Sequence, residues 1–91
     1  MAWTIQYTAS AARAIRGLDA QVQRRVRAAL EALRENPLRG KPLQLTLKGL
    51  RSLRTGDYRI IYRLHQERIE ILVVAVGHRR EVYDRLRDVL R

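Results

Sequence analysis

The stretch that most restricts the fold is IEILVVAVG, at residues 69–77, which ends directly at His78. Its second half is apolar at consecutive positions, so both faces of an extended chain would be apolar there. That pattern is typical of a strand inside a sheet rather than at its edge. No apolar run in the chain approaches the roughly 20 residues of a membrane span. The chain is therefore predicted to fold around a sheet in which this strand is central.

A strand and two helices precede that central strand. The segment WTIQYT, at 3–8, alternates apolar and polar residues, which predicts a strand with one buried face. A short helix ending at Gly17 follows, and a longer helix runs from Asp19 to Asn36. The longer helix carries one apolar stripe and a basic opposite face, so it is predicted to pack on the sheet.

The second half of the chain predicts antiparallel strands and a final helix. Residues 37–50 open as a loop and then show the alternation of a strand start at three leucines, Leu43, Leu45 and Leu47. Residues 49–64 predict a hairpin that turns at Thr55-Gly56-Asp57, and residues 69–77 add the next strand. The apolar stripe after Arg80 predicts a C-terminal helix.

The predicted fold class is α+β, in one domain that spans residues 1–91. It has an N-terminal strand, two helices, an antiparallel three-stranded meander and a C-terminal helix. The helices are expected on one face of the sheet, which leaves the other face open. Arg59 and Arg63 alternate with apolar residues in their strand, so both are expected on the open face.

Charge is the strongest compositional signal. The chain has 19 Lys and Arg against 9 Asp and Glu, giving a net charge of +10, and 17 of the 19 are arginine. This excess indicates attraction to a polyanion, and arginine suits bidentate contact with phosphate. The chain has no cysteine and only two histidines, which does not favour a metal centre, and no cofactor is expected. The start of the chain lacks the features of a signal peptide, so a cytoplasmic location is expected.

Three side-chain types form the candidate catalytic group. Arg59 is expected on the open face, and Arg54 joins it there if Leu53 faces the core. His78 and Arg79 follow the end of the central strand, and Tyr83 lies about 100° from the apolar stripe of its helix. Arginine, histidine and tyrosine suit phosphodiester cleavage without a metal, because cations stabilise the phosphate charge while histidine and tyrosine exchange protons.

Two motifs carry a resemblance to a known family. LKGLRSLRTGDYRIIYRL, at 47–64, followed by VVAVGHRREVYDRL, at 73–86, resembles the RelE/ParE toxin superfamily, on its RelE side. The resemblance covers nearly the whole chain and implies a RelE-like fold, similar to that of small microbial ribonucleases. RelE-type members are toxins of toxin–antitoxin pairs that enter the ribosomal A site. There they cleave mRNA by attack of a ribose 2′-hydroxyl on its own phosphate.

The resemblance also implies roles for individual residues. Arg59 matches the arginine that stabilises the scissile phosphate, and Arg79 is preferred to Arg80 as the arginine after the last strand. Tyr83 matches the tyrosine of proton transfer, while His78 looks like a histidine that some relatives use as acid or base. The residues expected to supply further positive charge are Arg51 or Arg54 and Lys48, because Leu50 and Ser52 stand where the best-known members have two lysines. The side chains expected to bind RNA or the ribosome are Arg24, Arg25, Arg27, Arg39, Lys41, Lys48 and Arg51.

The sequence leaves two other functions open. One is a ParE-like toxin that binds and inhibits DNA gyrase and cleaves nothing. The other is a catalytically decayed module that binds nucleic acid through its positive charge alone. The expected partners are the ribosome, mRNA and a cognate acidic antitoxin of the RelB type, the last in a hetero-oligomer, and no membrane is involved.

Overall fold

A computed structural model of the chain describes residues 2–43, 49–78 and 81–90, with the side chains of residues 81–84 and 86 in the last range. The strands are β1 (Thr4–Tyr7), β2 (Lys41–Pro42), β3 (Leu50–Thr55), β4 (Tyr58–His65) and β5 (Glu70–His78). The helices are α1 (Ala9–Arg16), α2 (Ala20–Glu35) and α3 (Glu81–Leu90). The strand start predicted at Leu45 and Leu47 lies outside the described residues. No helix in the described ranges is long and apolar enough to cross a bilayer.

The α+β fold class is confirmed, and the sheet has five strands in the order β1-β5-β4-β3-β2. Strands β3, β4 and β5 are consecutive antiparallel neighbours. Two edge strands extend this group, because β1 pairs in parallel with β5 and β2 pairs antiparallel with β3. Strand β5 lies between β1 and β4 and is buried on both faces over most of its length, as its continuous apolar run predicted.

The prediction that all helices lie on one face of the sheet is wrong. Helices α1 and α2 share one apolar core with Ile60 and Tyr62, whereas Val82 and Leu86 of α3 share another core with Ile61. Since Ile60 and Ile61 point to opposite faces of β4, the sheet has an α1/α2 face and an α3 face. The sequence argument weighed Arg59 and Arg63 and overlooked the apolar centre of the face that carries them.

A β-bulge supplies much of that second apolar core. Ile61 pairs with Ala75, whereas Tyr62 pairs with Val73, so Val74 is an extra residue in β5. Val74 and Ala75 consequently both belong to the core of the α3 face. This apolar patch gives the apolar stripe of α3 a partner, so α3 packs there instead of joining α1 and α2.

The loop before β2 is fixed from below by a buried tyrosine. Tyr62 is fully buried, and its hydroxyl donates to the Pro37 carbonyl at 2.8 Å and accepts from the Gly40 amide at 3.0 Å. On the same face Arg51 donates through Nη2 to the carbonyls of Leu38 and Gly40, at 3.1 and 2.6 Å. These bonds satisfy backbone groups that would otherwise be unpaired, and they set the position at which β2 begins.

Gly40→Ala should therefore destabilise the protein by about 1–3 kcal/mol, because a methyl group has no room there. A Cβ at position 40 would lie 2.6 Å from the Tyr62 hydroxyl and 2.8 Å from the Ser52 carbonyl oxygen. Urea denaturation followed by circular dichroism measures the change. Gly17→Ala is the matched control, since its Cβ would meet no atom closer than 3.7 Å. Equal stabilities of the two variants would contradict the packing at Gly40.

Candidate active site

A cavity of about 580 Å³ opens on the α3 face near the turn between β3 and β4. Strands β2, β3 and β4, helix α3 and the loop before β2 all contribute to it. Its polar side chains are Arg39, Lys41, Ser52, Arg54, Arg59 and Tyr83. Four of these described side chains are cationic and none is acidic, so this cavity, called the arginine cavity below, attracts an anion.

Arg54 and Arg59 face each other across the hairpin and form the centre of the arginine cavity. They are register partners in β3 and β4, so both side chains lie on the α3 face. Leu53 faces the α1/α2 core, which confirms the condition under which Arg54 was expected beside Arg59. Like charges directly opposite in a sheet destabilise the fold, so this pair favours an anion between or beside them.

Local contacts hold the two guanidinium groups differently. Arg54 is exposed, and its Nε donates to the Gly56 carbonyl in the hairpin turn at 3.1 Å. Gly56 has a φ of +59°, which glycine adopts without strain. Arg59 is half-buried, and its Nε has no hydrogen-bond partner among the described residues. On its other side Arg59 pairs with Gly77, which has no side chain to fill the space beside the guanidinium.

Tyr83 reaches the arginine cavity from the first turn of α3. Its neighbour Val82 is fully buried in the core of the α3 face, and Tyr83 is partly buried at the edge of that core. The off-stripe position of Tyr83 in the sequence predicted such a boundary location. The structure thus brings three of the predicted catalytic side chains, Arg54, Arg59 and Tyr83, to one cavity.

His78 is not one of the cavity-lining residues. It pairs with Tyr58 in the register of β4 and β5, and the two rings contact edge to face with centroids 5.6 Å apart. Because Gly77 lies opposite Arg59 on the α3 face, the next residue in the strand points to the α1/α2 face. Sequence reasoning placed His78 at the correct strand end without assigning its face. Arg79 lies outside the described residues.

The residues predicted to bind RNA lie in several places. Arg39 and Lys41 line the arginine cavity, while Arg25, Arg39 and Arg54 line a groove of about 340 Å³ between α2 and β3. Arg39 and Arg54 therefore connect the groove to the cavity. The floor of the groove is formed by small side chains of α2, Ala28, Ala29 and Ala32.

The other predicted RNA-binding residues lie apart from this surface or are bonded internally. Arg24 and Arg27 are exposed on α2, and Arg27 lines a separate groove between α1 and α2 with Tyr7. Burial raises the pKa of Tyr7 above its ordinary value, an effect that Arg27 partly opposes. Arg51 lies on the face opposite Arg54, where it binds loop carbonyls. Lys48 lies outside the described residues.

Two features of the cavity escaped sequence reasoning. Lys41 was assigned to a loop, but it belongs to β2 and pairs with Ser52 of β3, which places both side chains on the α3 face. A two-residue strand that contains a proline has no periodicity to detect. Among the described His, Asp and Glu side chains, no group of three could hold a metal ion.

Comparison with known proteins agrees with this architecture. Residues 5–83 match the family described as the ParE toxin of the type II toxin–antitoxin system parDE. The toxin RelG of Mycobacterium tuberculosis is 36% identical over 87 residues, which span 93% of this chain and 100% of that protein. The toxin RelE of the same organism is 39% identical over 75 residues, which span 78% of this chain and 77% of that toxin.

Solved structures show the same fold. The toxin–antitoxin complex RelBE2 from Mycobacterium tuberculosis contains a chain that is 33% identical, with a TM-score of 0.81, covering 87% of this chain and 93% of that one. The isolated RelE toxin of E. coli is similar in fold, with a TM-score of 0.74 over 99% of this chain and 100% of that one, at 21% identity. With a family match over most of its length and full-length relatives above 30% identity, the chain belongs to the ParE toxin family, as a type II toxin of the RelE/ParE superfamily.

Proposed function

We propose that this toxin is a ribosome-dependent, metal-independent endoribonuclease that cleaves mRNA in the cytoplasm. The observation that carries the proposal is the meeting of Arg54, Arg59 and Tyr83 in one cavity on a strongly basic protein. Two guanidinium groups suit the two non-bridging oxygens of a phosphodiester, and a phenol can donate or accept a proton. The likeness to proteins named RelG and RelE supports the same assignment.

The proposed reaction is cleavage by the neighbouring ribose hydroxyl. The 2′-oxygen forms a bond to the adjacent phosphorus, and the bond from phosphorus to the 5′-oxygen of the next nucleotide breaks. The products are a 2′,3′-cyclic phosphate and a 5′-hydroxyl end. Arg54 and Arg59 stabilise the negative charge of the five-coordinate phosphorus, which exceeds that of the starting diester. Tyr83 is the residue that exchanges a proton with the 2′-hydroxyl or the 5′-oxygen, because it lines the cavity and His78 does not.

The basic groove between α2 and β3 continues the proposed path of the RNA strand. Arg25 reaches the hairpin turn, with its Nη1 3.8 Å from the position of a Cβ on Gly56. Arg39 lines both this groove and the arginine cavity. We assign to Arg25 and Arg39 the phosphates next to the scissile one, and to Arg24 and Arg27, exposed on α2, contacts with ribosomal RNA.

The proposed antitoxin is an acidic, RelB-like protein that covers the arginine cavity in a toxin–antitoxin complex. Two similar chains come from complexes described as RelBE2 of Mycobacterium tuberculosis and RelBE of E. coli. An acidic segment over Arg54 and Arg59 would relieve their mutual repulsion and exclude RNA.

A second function is supported by the matched family model, whose description names ParE toxins. A ParE-like toxin would bind DNA gyrase and cleave no RNA. Such an inhibitor has no need of a proton-transfer group, so the placement of Tyr83 beside two arginines favours the nuclease.

Expression of the toxin without an antitoxin separates the two functions. Primer extension on an induced message should show cuts in phase with codons, and the same message without a start codon should stay intact. The new ends should carry 5′-hydroxyl groups. Growth arrest with intact mRNA and double-strand DNA breaks would instead establish gyrase as the target.

A further inference from the structure

Ser52 has a buried hydroxyl that nothing in the protein satisfies. The residue is 8% exposed, and its Oγ has no hydrogen-bond partner among the described residues. A buried hydroxyl without a partner destabilises a fold, and such groups are rare in native structures. Its presence in the middle of a sheet therefore requires an explanation outside the packing of the core.

The surroundings of Ser52 suggest what completes its hydrogen bonding. Ser52 lines the arginine cavity and precedes Arg54 by two residues in β3, so the two side chains share a face about 7 Å apart along the strand. Across the sheet Ser52 pairs with Lys41, whose side chain lies on the same face. The hydroxyl thus lies in a cavity with Arg54 and Lys41 beside it. An oxygen of a phosphate group fits this position, because it accepts from a hydroxyl and is attracted by both cations.

We propose that Ser52 is a substrate-contacting residue whose hydroxyl donates a hydrogen bond to an RNA phosphate oxygen, with Lys41 neutralising that phosphate. The proposal rests on the proposed function for the identity of the ligand as RNA. It adds a neutral donor to a site otherwise composed of arginines, lysine and tyrosine. Ser52 would then be retained for binding and would not contribute to folding stability.

The first test compares stability and cleavage in the same variants. Ser52→Ala should leave the melting temperature unchanged or raise it, since an unpartnered buried hydroxyl is removed. It should nevertheless reduce mRNA cleavage about 10- to 100-fold, the effect of a hydrogen bond to a charged group. Ser52→Cys keeps the size but has a weak donor, so it should be reduced similarly, whereas Ser52→Thr keeps the hydroxyl and should retain most activity. Arg63→Ala, an exposed change on the same face outside the cavity, is the control.

The second test measures binding without cleavage. A fluorescent RNA trinucleotide with 2′-O-methyl riboses cannot be cleaved by the proposed reaction, and its affinity is measured at fixed low salt. Ser52→Ala should weaken it about 10-fold or more, while Ser52→Thr and Arg63→Ala should match the wild type. If the wild type binds this probe through Ser52 but cuts no mRNA, the nuclease proposal fails and the Ser52 contact stands. A lower melting temperature for Ser52→Ala, equal affinities of Ser52→Ala and wild type, or no binding by the wild type would each overturn the Ser52 contact.

Discussion

Arg59→Ala should reduce the rate of mRNA cleavage by about 10²- to 10³-fold, the loss expected when one preorganised donor to a developing oxyanion is removed. Arg59 lies in the centre of the sheet, opposite Arg54 and beside Gly77, so neither solvent nor a neighbouring side chain can replace its guanidinium. The fold should not suffer, because Arg59 makes a like-charge pair with Arg54 and its Nε has no partner in the described protein. Primer extension on a translated message and thermal denaturation measure the two effects.

Arg63→Ala is the matched control for that result. Arg63 lies in the same strand on the same face, four residues away, and is exposed outside the arginine cavity. Its replacement removes the same charge and should change cleavage by less than about threefold, since one distant phosphate or solvent contact carries little of the transition-state energy. Equal losses in Arg59→Ala and Arg63→Ala would mean that only the net charge matters, which contradicts a phosphate site at Arg59.

Tyr83→Phe should lower cleavage by about 10²- to 10⁴-fold, the range for removing a general acid or base. The change keeps the ring, which packs at the edge of the core formed by Val82 and Leu86, and deletes only the hydroxyl. Stability and RNA binding should therefore stay close to those of the wild type while the rate falls. Single-turnover cleavage of mRNA on purified ribosomes separates the rate from the binding.

His78→Ala and Tyr7→Phe complete the test of proton transfer. His78 contacts Tyr58 on the opposite face, so its loss should affect cleavage far less than the loss of the Tyr83 hydroxyl. Tyr7 carries an exposed phenol outside the arginine cavity, and Tyr7→Phe controls for the deletion of a hydroxyl as such. A large loss in His78→Ala together with near-normal cleavage in Tyr83→Phe would transfer the role to His78.

Most of the fold could be predicted because local patterns and tertiary structure agree. The Thr8 side chain accepts from the Ala11 amide at the start of α1, and Asp19 caps α2 through the Val22 amide. The hairpin turn contains Gly56, and the continuous apolar run became the interior strand β5. These features depend on neighbours a few residues apart, which a sequence displays directly.

The placement of α3 could not be predicted in the same way. The alternation in β4 correctly separated Ile60 from Ile61, but it could not show that the face of Ile61 is apolar at its centre. That property depends on the bulge at Val74, which turns two consecutive residues of β5 to one face. A bulge is a mismatch between two strands, so it has no signature in either strand alone.

The sequence by itself determined the fold class, the basic character and the pairing of Arg54 with Arg59 on one face, because strand alternation and a tight hairpin fix which side chains are neighbours. Only the tertiary structure decided that Tyr83 joins those arginines, that His78 faces away, and that Ser52 and Lys41 complete the cavity. The physical reason is distance along the chain. These contacts join segments separated by ten or more residues, and packing and strand register, rather than local preference, set which of them meet.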